Sequence, residues 1–184
     1  MKFEETKLAG SFVIDIIASS DDRGWFARTF DKDEFKKIHF DGEWVQLNHS
    51  FTNIAGTIRG MHYQLPPFAE RKLVRCIAGA VFDVIIDLRK DSATFLQWFG
   101  TELSAENKKM IYIPEGFAHG FQTLADNAEL IYHHSQFYKP GFEGGIKYDD
   151  RMISITWPGK VTNISKRDEQ HNYLDQNFEG INLL

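Results

Sequence analysis

A succession of short β-type runs, each closed by a turn signal, limits this chain more than any other feature. Phe12–Ala18, Val45–Phe51, Lys72–Ile77, Val81–Leu88, Met110–Ile113 and Glu129–Phe137 are rich in β-branched and aromatic residues. Between them stand Asp22-Arg23-Gly24, Ala55-Gly56, Ala78-Gly79, Pro114-Glu115-Gly116 and Lys139-Pro140-Gly141, which favour chain reversal. Many short strands with regular punctuation predict an antiparallel sandwich or barrel. Helical signals are few. Asp31 followed by Glu34 resembles a capping box opening a short helix through Ile38, and Ser165 with Asp168 repeats the pattern near the C-terminus. No linker, repeat or low-complexity stretch interrupts the chain, so residues 1–184 read as one domain.

Composition removes several function classes. Lysine and arginine total 21 against 26 acids, a formal charge of −5, which disfavours a nucleic-acid partner. No apolar run approaches the roughly 20 residues needed to span a bilayer, so no membrane role is expected. Met1-Lys2-Phe3-Glu4-Glu5 lacks an apolar signal core, which points to the cytoplasm. The single cysteine, Cys76, forms neither an internal disulfide nor a cysteine metal cluster and reads as an inert strand residue. Sixteen phenylalanines predict an aromatic core, read as the packing of a small barrel.

The chemistry-bearing residues cluster around two histidines. Pro114-Glu115-Gly116 directly after an apolar strand places His119 at the start of the next strand. Pro-x-Gly-x-x-His resembles the second signature of cupin β-barrels. The place of the first signature, Gly56 to Gln64, holds one histidine, His62, and then Gln64 rather than a His-x-His pair with a glutamate. A divalent site usually needs about three nitrogen, sulfur or carboxylate ligands. Two histidines and a glutamine make a poor one. A mainly β, cupin-like antiparallel β-barrel or jelly roll with a few short helices and no metal is therefore expected. A metal-dependent cupin enzyme using His62 and His119 is the alternative.

Alternation leaves some faces open. Leu130, Tyr132, His134 and Gln136 share one face, and Ile131, His133, Ser135 and Phe137 the other, so each face carries a histidine. Gln46, Asn48 and Ser50 form a polar face that suits either solvent or a ligand cavity. Arg59 and His62 lie three apart, and a bulge at Gly60 would turn both inward. Arg59, His62, Lys72, His119 and Tyr132 together suggest proton abstraction beside a carbonyl: histidine as base, a cation beside the enolate, tyrosine as proton donor.

These residues resemble one family. Asp21-x-Arg23-Gly24-x-Phe26, Gln46-x-Asn48-x-Ser50, Arg59-Gly60-Met61-His62-Tyr63-Gln64 and Lys72-Leu73-Val74 occur in order. Pro114-x-Gly-Phe-Ala-His119-Gly-Phe121 and Trp157-Pro158 follow. The set is similar to the dTDP-4-dehydrorhamnose 3,5-epimerases over nearly the whole chain. The resemblance implies a homodimeric cupin-like barrel with no metal or organic cofactor, acting on a nucleotide-diphospho-4-keto-6-deoxy sugar. It implies His62 as general base, Asp168 as its orienting carboxylate, Lys72 beside the enolate, and Tyr132 as proton donor from the opposite face of the ring. It implies substrate contacts from Arg23, Phe26, Gln46, Asn48, Arg59, His119 and Glu143, with Tyr138 shaping the sugar pocket.

Two positions depart from the family pattern. Arg28 stands where many members have a glutamate, and Arg167 where they have a lysine; both count as substrate contacts. The charge reversal at Arg28 leaves dTDP as the default and CDP, GDP or UDP open, and because single-centre epimerases share these motifs the resemblance leaves open inversion at C3, C5 or both. His39, His133, His134 and His171 match nothing functional and read as surface or core.

Overall fold

The computed structural model describes residues 1–183. The N-terminal strands are β1 (Lys2–Glu5), β2 (Phe12–Asp15), β3 (Ser19–Asp21) and β4 (Gly24–Phe26). Helix α1 (Lys32–Phe35) follows and continues as a 3-10 turn over Lys36–Ile38. Then come β5 (Gln46–Thr52), β6 (Thr57–Gln64), β7 (Lys72–Ala78) and β8 (Ala80–Asp87). The later strands are β9 (Trp98–Ser104), β10 (Met110–Ile113), β11 (Phe117–Thr123) and β12 (Ala128–His134). β13 (Glu143–Gly145), β14 (Asn163–Ile164) and α2 (Lys166–Glu169) complete the described elements.

Two antiparallel sheets face each other. One has the order β1-β2-β10-β7-β12-β5, the other β13-β6-β11-β8-β9, with β14 joining β6 in parallel. Leu8, Val74, Cys76, Ile111, Ile113 and Leu130 meet Val81, Ile85, Leu103, Phe117 and Phe121 between them. The alternation of β8 explains its apolar run Val84-Ile85-Ile86. Ile85 points between the sheets, while Val84 and Ile86 face outward under a cover of Ile146, Ile153 and Ile181. Full burial of one such side chain stabilises by about 1.5–3 kcal/mol. This is a cupin-like β-sandwich closed at one end by apolar side chains.

The helices decorate it. Asp31 caps α1, accepting from the backbone of Asp33 and Glu34, and Phe35 and Ile38 pack on the outer face of the first sheet. Phe3, Phe12, Phe30, Phe35 and Phe40 gather there too, so much of the phenylalanine excess lies outside the barrel. Ser165 Oγ caps α2 by accepting from Asp168 N.

Several strands end earlier than their composition suggests. β2 stops at Asp15 because its neighbour β10 has only four residues. β12 stops at His134 because the return bond fails one step later: Ser135 N–H still donates to the Arg71 carbonyl, but Arg71 N–H donates to Ser135 Oγ instead of the Ser135 carbonyl. β6, β9 and β11 are strands despite internal glycines. Gly100 lets the Phe82 ring lie against β9, since a Cβ there would sit 2.3 Å from it. Among the described residues no helix is long and apolar enough to cross a membrane.

Candidate active site

The end of the sandwich not filled by apolar side chains opens as a cavity of about 720 Å³. β5 contributes Asn48 and Ser50, β6 Arg59 and His62, β7 Lys72, β11 His119, β12 Tyr132 and His134, and α2 Arg167 and Asp168. Strand register does most of the placing. Tyr132 pairs with Asn48 across β12 and β5 and with Val74 of β7, so Tyr132 and His134 share the cavity face with Asn48 and Ser50. The polar face of β5 is a cavity wall.

β6 needs a local irregularity to present both Arg59 and His62. His62 pairs with His119, but Arg59 pairs with Phe121, so β6 carries one extra residue there. Gly60 sits in that bulge at φ 132°, and a Cβ on it would lie 2.5 Å from Gly120 Cα. Only glycine meets both demands. The bulged Gly60 N–H then donates to Asp168 Oδ2 at 3.1 Å.

Three histidines in the cavity each face a carboxylate. His62 Nε2 donates to Asp168 Oδ1 at 2.8 Å, and His62 is 39% exposed at its side chain while Asp168 is 5%. Burial pushes the Asp168 carboxyl up, but the bonds from His62 and Gly60 outweigh it and hold it below the usual carboxylate range. His119 Nε2 meets Asp83 Oδ2 at 2.9 Å, both buried. Here burial wins. The Asp83 carboxyl is pushed up, and its Oδ1 has no partner among the described residues.

The third histidine is part of a chain of bonds. Gln46 Nε2 donates to Asn48 Oδ1 (3.1 Å), Asn48 Nδ2 to His134 Nε2 (3.2 Å), and His134 Nδ1 to Glu70 Oε2 (2.7 Å). Glu70 Oε1 in turn lies 3.1 Å from Lys72 Nζ. Burial raises the Glu70 carboxyl, yet Lys72 and His134 bring it below its usual range. That order fixes His134 as an Nδ1–H tautomer. Tyr132 OH shares a 2.9 Å hydrogen bond with Ser50 Oγ, and burial pushes its phenol well above the usual value. Arg59 is held by Thr52 Oγ1 and the Phe51 carbonyl, both at 3.0 Å.

At the rim, Tyr138 OH donates to Glu143 Oε1 at 3.0 Å, and Arg167 Nη2 lies 3.9 Å from the same oxygen. Gln46 Oε1 accepts from Tyr138 N, tying this group to β5. Arg23, Phe26 and Arg28 are not brought to the cavity. Arg23 pairs with Asp21 on the exposed β3–β4 hairpin, Phe26 is 78% exposed, and Arg28 Nη1 is bound by Asp31 Oδ2 at 2.6 Å.

Sequence reasoning missed Glu70, Asp83, His134 and His171. His134 was legible as the residue two after Tyr132, and Asp83 as a carboxylate inside an apolar strand. Glu70 lies in a loop with no periodicity to announce it. His171, set aside as surface or core, lies 3.6 Å from Asp168 Oδ1.

Comparisons with known proteins point to one family. The sequence pattern described as dTDP-4-dehydrorhamnose 3,5-epimerase matches residues 5–176. A protein of that name from Shigella flexneri is 43% identical over 169 residues, 91% of this chain and 93% of its own. A crystal structure of the Bacillus anthracis enzyme with TDP and PPi bound superposes with a TM-score of 0.91 at 37% identity, covering 94% of this chain and 99% of that one. The Legionella pneumophila structure in complex with dTDP-4-keto-L-rhamnose gives 0.91 at 34% identity, covering 100% and 99%.

Proposed function

The chain belongs to the dTDP-4-dehydrorhamnose 3,5-epimerase family, and from that premise we propose that it is a cofactor-free isomerase. It inverts C3, C5 or both in a nucleotide-diphospho-4-keto-6-deoxy sugar, by default dTDP-4-dehydro-6-deoxyglucose to dTDP-4-dehydrorhamnose. One observation carries this reading: His62 and Tyr132 stand on opposite sheets across one cavity. Inversion needs a base on one face of the sugar ring and an acid on the other.

The 4-keto group acidifies the neighbouring C–H bonds. His62 takes the proton, and the electron pair moves onto the ketone oxygen as an enolate. Lys72 supplies positive charge there, and Tyr132 returns a proton from the other side. Burial keeps the Tyr132 phenol protonated until the carbanion needs it. Asp168 stays charged at neutral pH and stabilises the imidazolium formed on His62. Acid–base steps of this kind supply about 10²–10⁴-fold each.

Arg59, His119 and Arg167 suit the diphosphate, and Gln46, Asn48, Tyr138 and Glu143 line the way to it. Arg23, Phe26 and Arg28 reach substrate in this reading only across the interface of a homodimer, through the exposed β3–β4 hairpin. Arg28 is already committed to the carboxylate that caps α1, so its charge at the nucleotide is partly spent. The whole chain acts as one cytoplasmic unit supplying a deoxysugar. The test is deuterium wash-in: the protein is incubated with candidate 4-keto sugar nucleotides in heavy water, and exchange at C3 and C5 is followed. Exchange with the dTDP sugar is expected; none with any 4-keto sugar nucleotide overturns the reading.

A further inference from the structure

Behind His62, the Asp168 carboxylate faces a second imidazole. His62 Nε2 lies 2.8 Å and His171 Nε2 3.6 Å from Asp168 Oδ1, and all three donor atoms fall within 4.8 Å of one another. Two imidazoles and one carboxylate form a donor set suited to zinc. In a tetrahedral zinc centre with bonds of about 2.0–2.1 Å, neighbouring donors sit about 3.3 Å apart. The two separations from the carboxylate bracket that value.

The surroundings prepare the site. His171 Nε2 is buried and has no hydrogen-bond partner among the described residues, an arrangement native interiors rarely leave unanswered. Its ring lies flat on Gly145, where a Cβ would come within 2.2 Å of it. Gly60 N–H holds Asp168 Oδ2, leaving Oδ1 to face both imidazoles. His62 opens to the cavity, which supplies a path for an ion and a water as fourth ligand.

We infer that His62, Asp168 and His171 form an inhibitory zinc site that disables the base when filled. The site is no cofactor site. A zinc ion on His62 Nε2 displaces the hydrogen bond to Asp168 and shifts the ring's single proton to Nδ1. No lone pair then remains to accept a substrate proton. The loss of activity rests on the role proposed above for His62; the binding does not.

The experiment titrates zinc chloride into the full chain, reading bound metal by equilibrium dialysis and activity by deuterium wash-in. One zinc per chain is expected, with exchange lost as the site fills and restored by a chelator. His171→Asn should weaken zinc binding by at least about tenfold, and whatever exchange the variant retains should resist zinc at concentrations that silence the parent. His171→Gln serves as a second variant, and cobalt(II) absorption of the unaltered protein reports tetrahedral imidazole ligation independently of any variant. Absence of saturable zinc, or equal zinc affinity in both His171 variants, overturns the site. Zinc binding that depends on His171, in a protein without exchange activity, upholds the site and overturns the role given to His62.

Discussion

The two histidine–carboxylate pairs on β6 and β11 look alike and are built for different work. His62 and His119 stand directly opposite in register on paired strands, and they bond Asp168 of α2 and Asp83 of β8 at nearly equal lengths. Their carboxylates move in opposite directions. Asp168 receives a second hydrogen bond from Gly60 and is held low, whereas Asp83 has one partner and an orphaned oxygen and is pushed up by burial. A carboxylate that stays charged can support a histidine that gains and loses a proton at the cavity surface. A desolvated one is suited to fixing a ring in place. Pairing alone does not mark a catalytic dyad; the solvation of the acid does.

The contrast breaks first at His62. His62→Asn should reduce wash-in at both carbons by as much as ~10⁴-fold. Asp168→Asn should lower kcat by roughly 10²–10³, less than loss of the base, because the imidazole loses its tautomer and its counter-charge but stays in place. Tyr132→Phe removes the acid across the cavity. It should cut inversion by about 10²-fold while part of the wash-in survives, because proton abstraction does not need it. Asp83→Asn should change kcat by less than about tenfold, in keeping with a positioning role.

Stability against pH sharpens the same contrast. The Asp168 carboxyl is lower in the folded chain than in the unfolded one. Its contribution is therefore present above the ordinary carboxylate range and lost as pH falls through the folded value. Asp83 is raised, so the unfolded chain ionises first and stability falls as pH rises from the unfolded toward the folded value. Urea melts above the ordinary carboxylate range, from about pH 4 to 7, should show Asp83→Asn gaining on the parent as pH rises. Asp168→Asn should lose ground as pH rises through a lower window, about pH 2 to 5, and hold a constant deficit above it. Parallel curves for both variants would remove the distinction.

The fold was legible where side-chain pattern and ladder agree. Met110–Ile113 is a strand with the ends its sequence suggests, and Asp31 and Ser165 cap helices as their spacing indicates. β6 was harder, because Gly60 and Arg59 dilute the strand signal that its bulge depends on. Ser165 and Asp168 were readable as a cap or as a carboxylate for His62, and one turn holds both contacts: Ser165 caps the backbone from which Asp168 reaches His62. Glu70 and His171 were not readable, since both reach their partners through loops whose course depends on tertiary packing. Arg23, Phe26 and Arg28 stand apart from the cavity for a related reason: a motif fixes residue types and leaves their placement to tertiary packing.

The central claim, that His62 and not His119 is the base, is tested most directly by deuterium wash-in with His62→Asn and His119→Asn side by side on the dTDP 4-keto sugar. Exchange at C3 and C5 should vanish in the first and persist, at weakened substrate affinity, in the second. Exchange that survives in His62→Asn or disappears in His119→Asn at saturating substrate would contradict it.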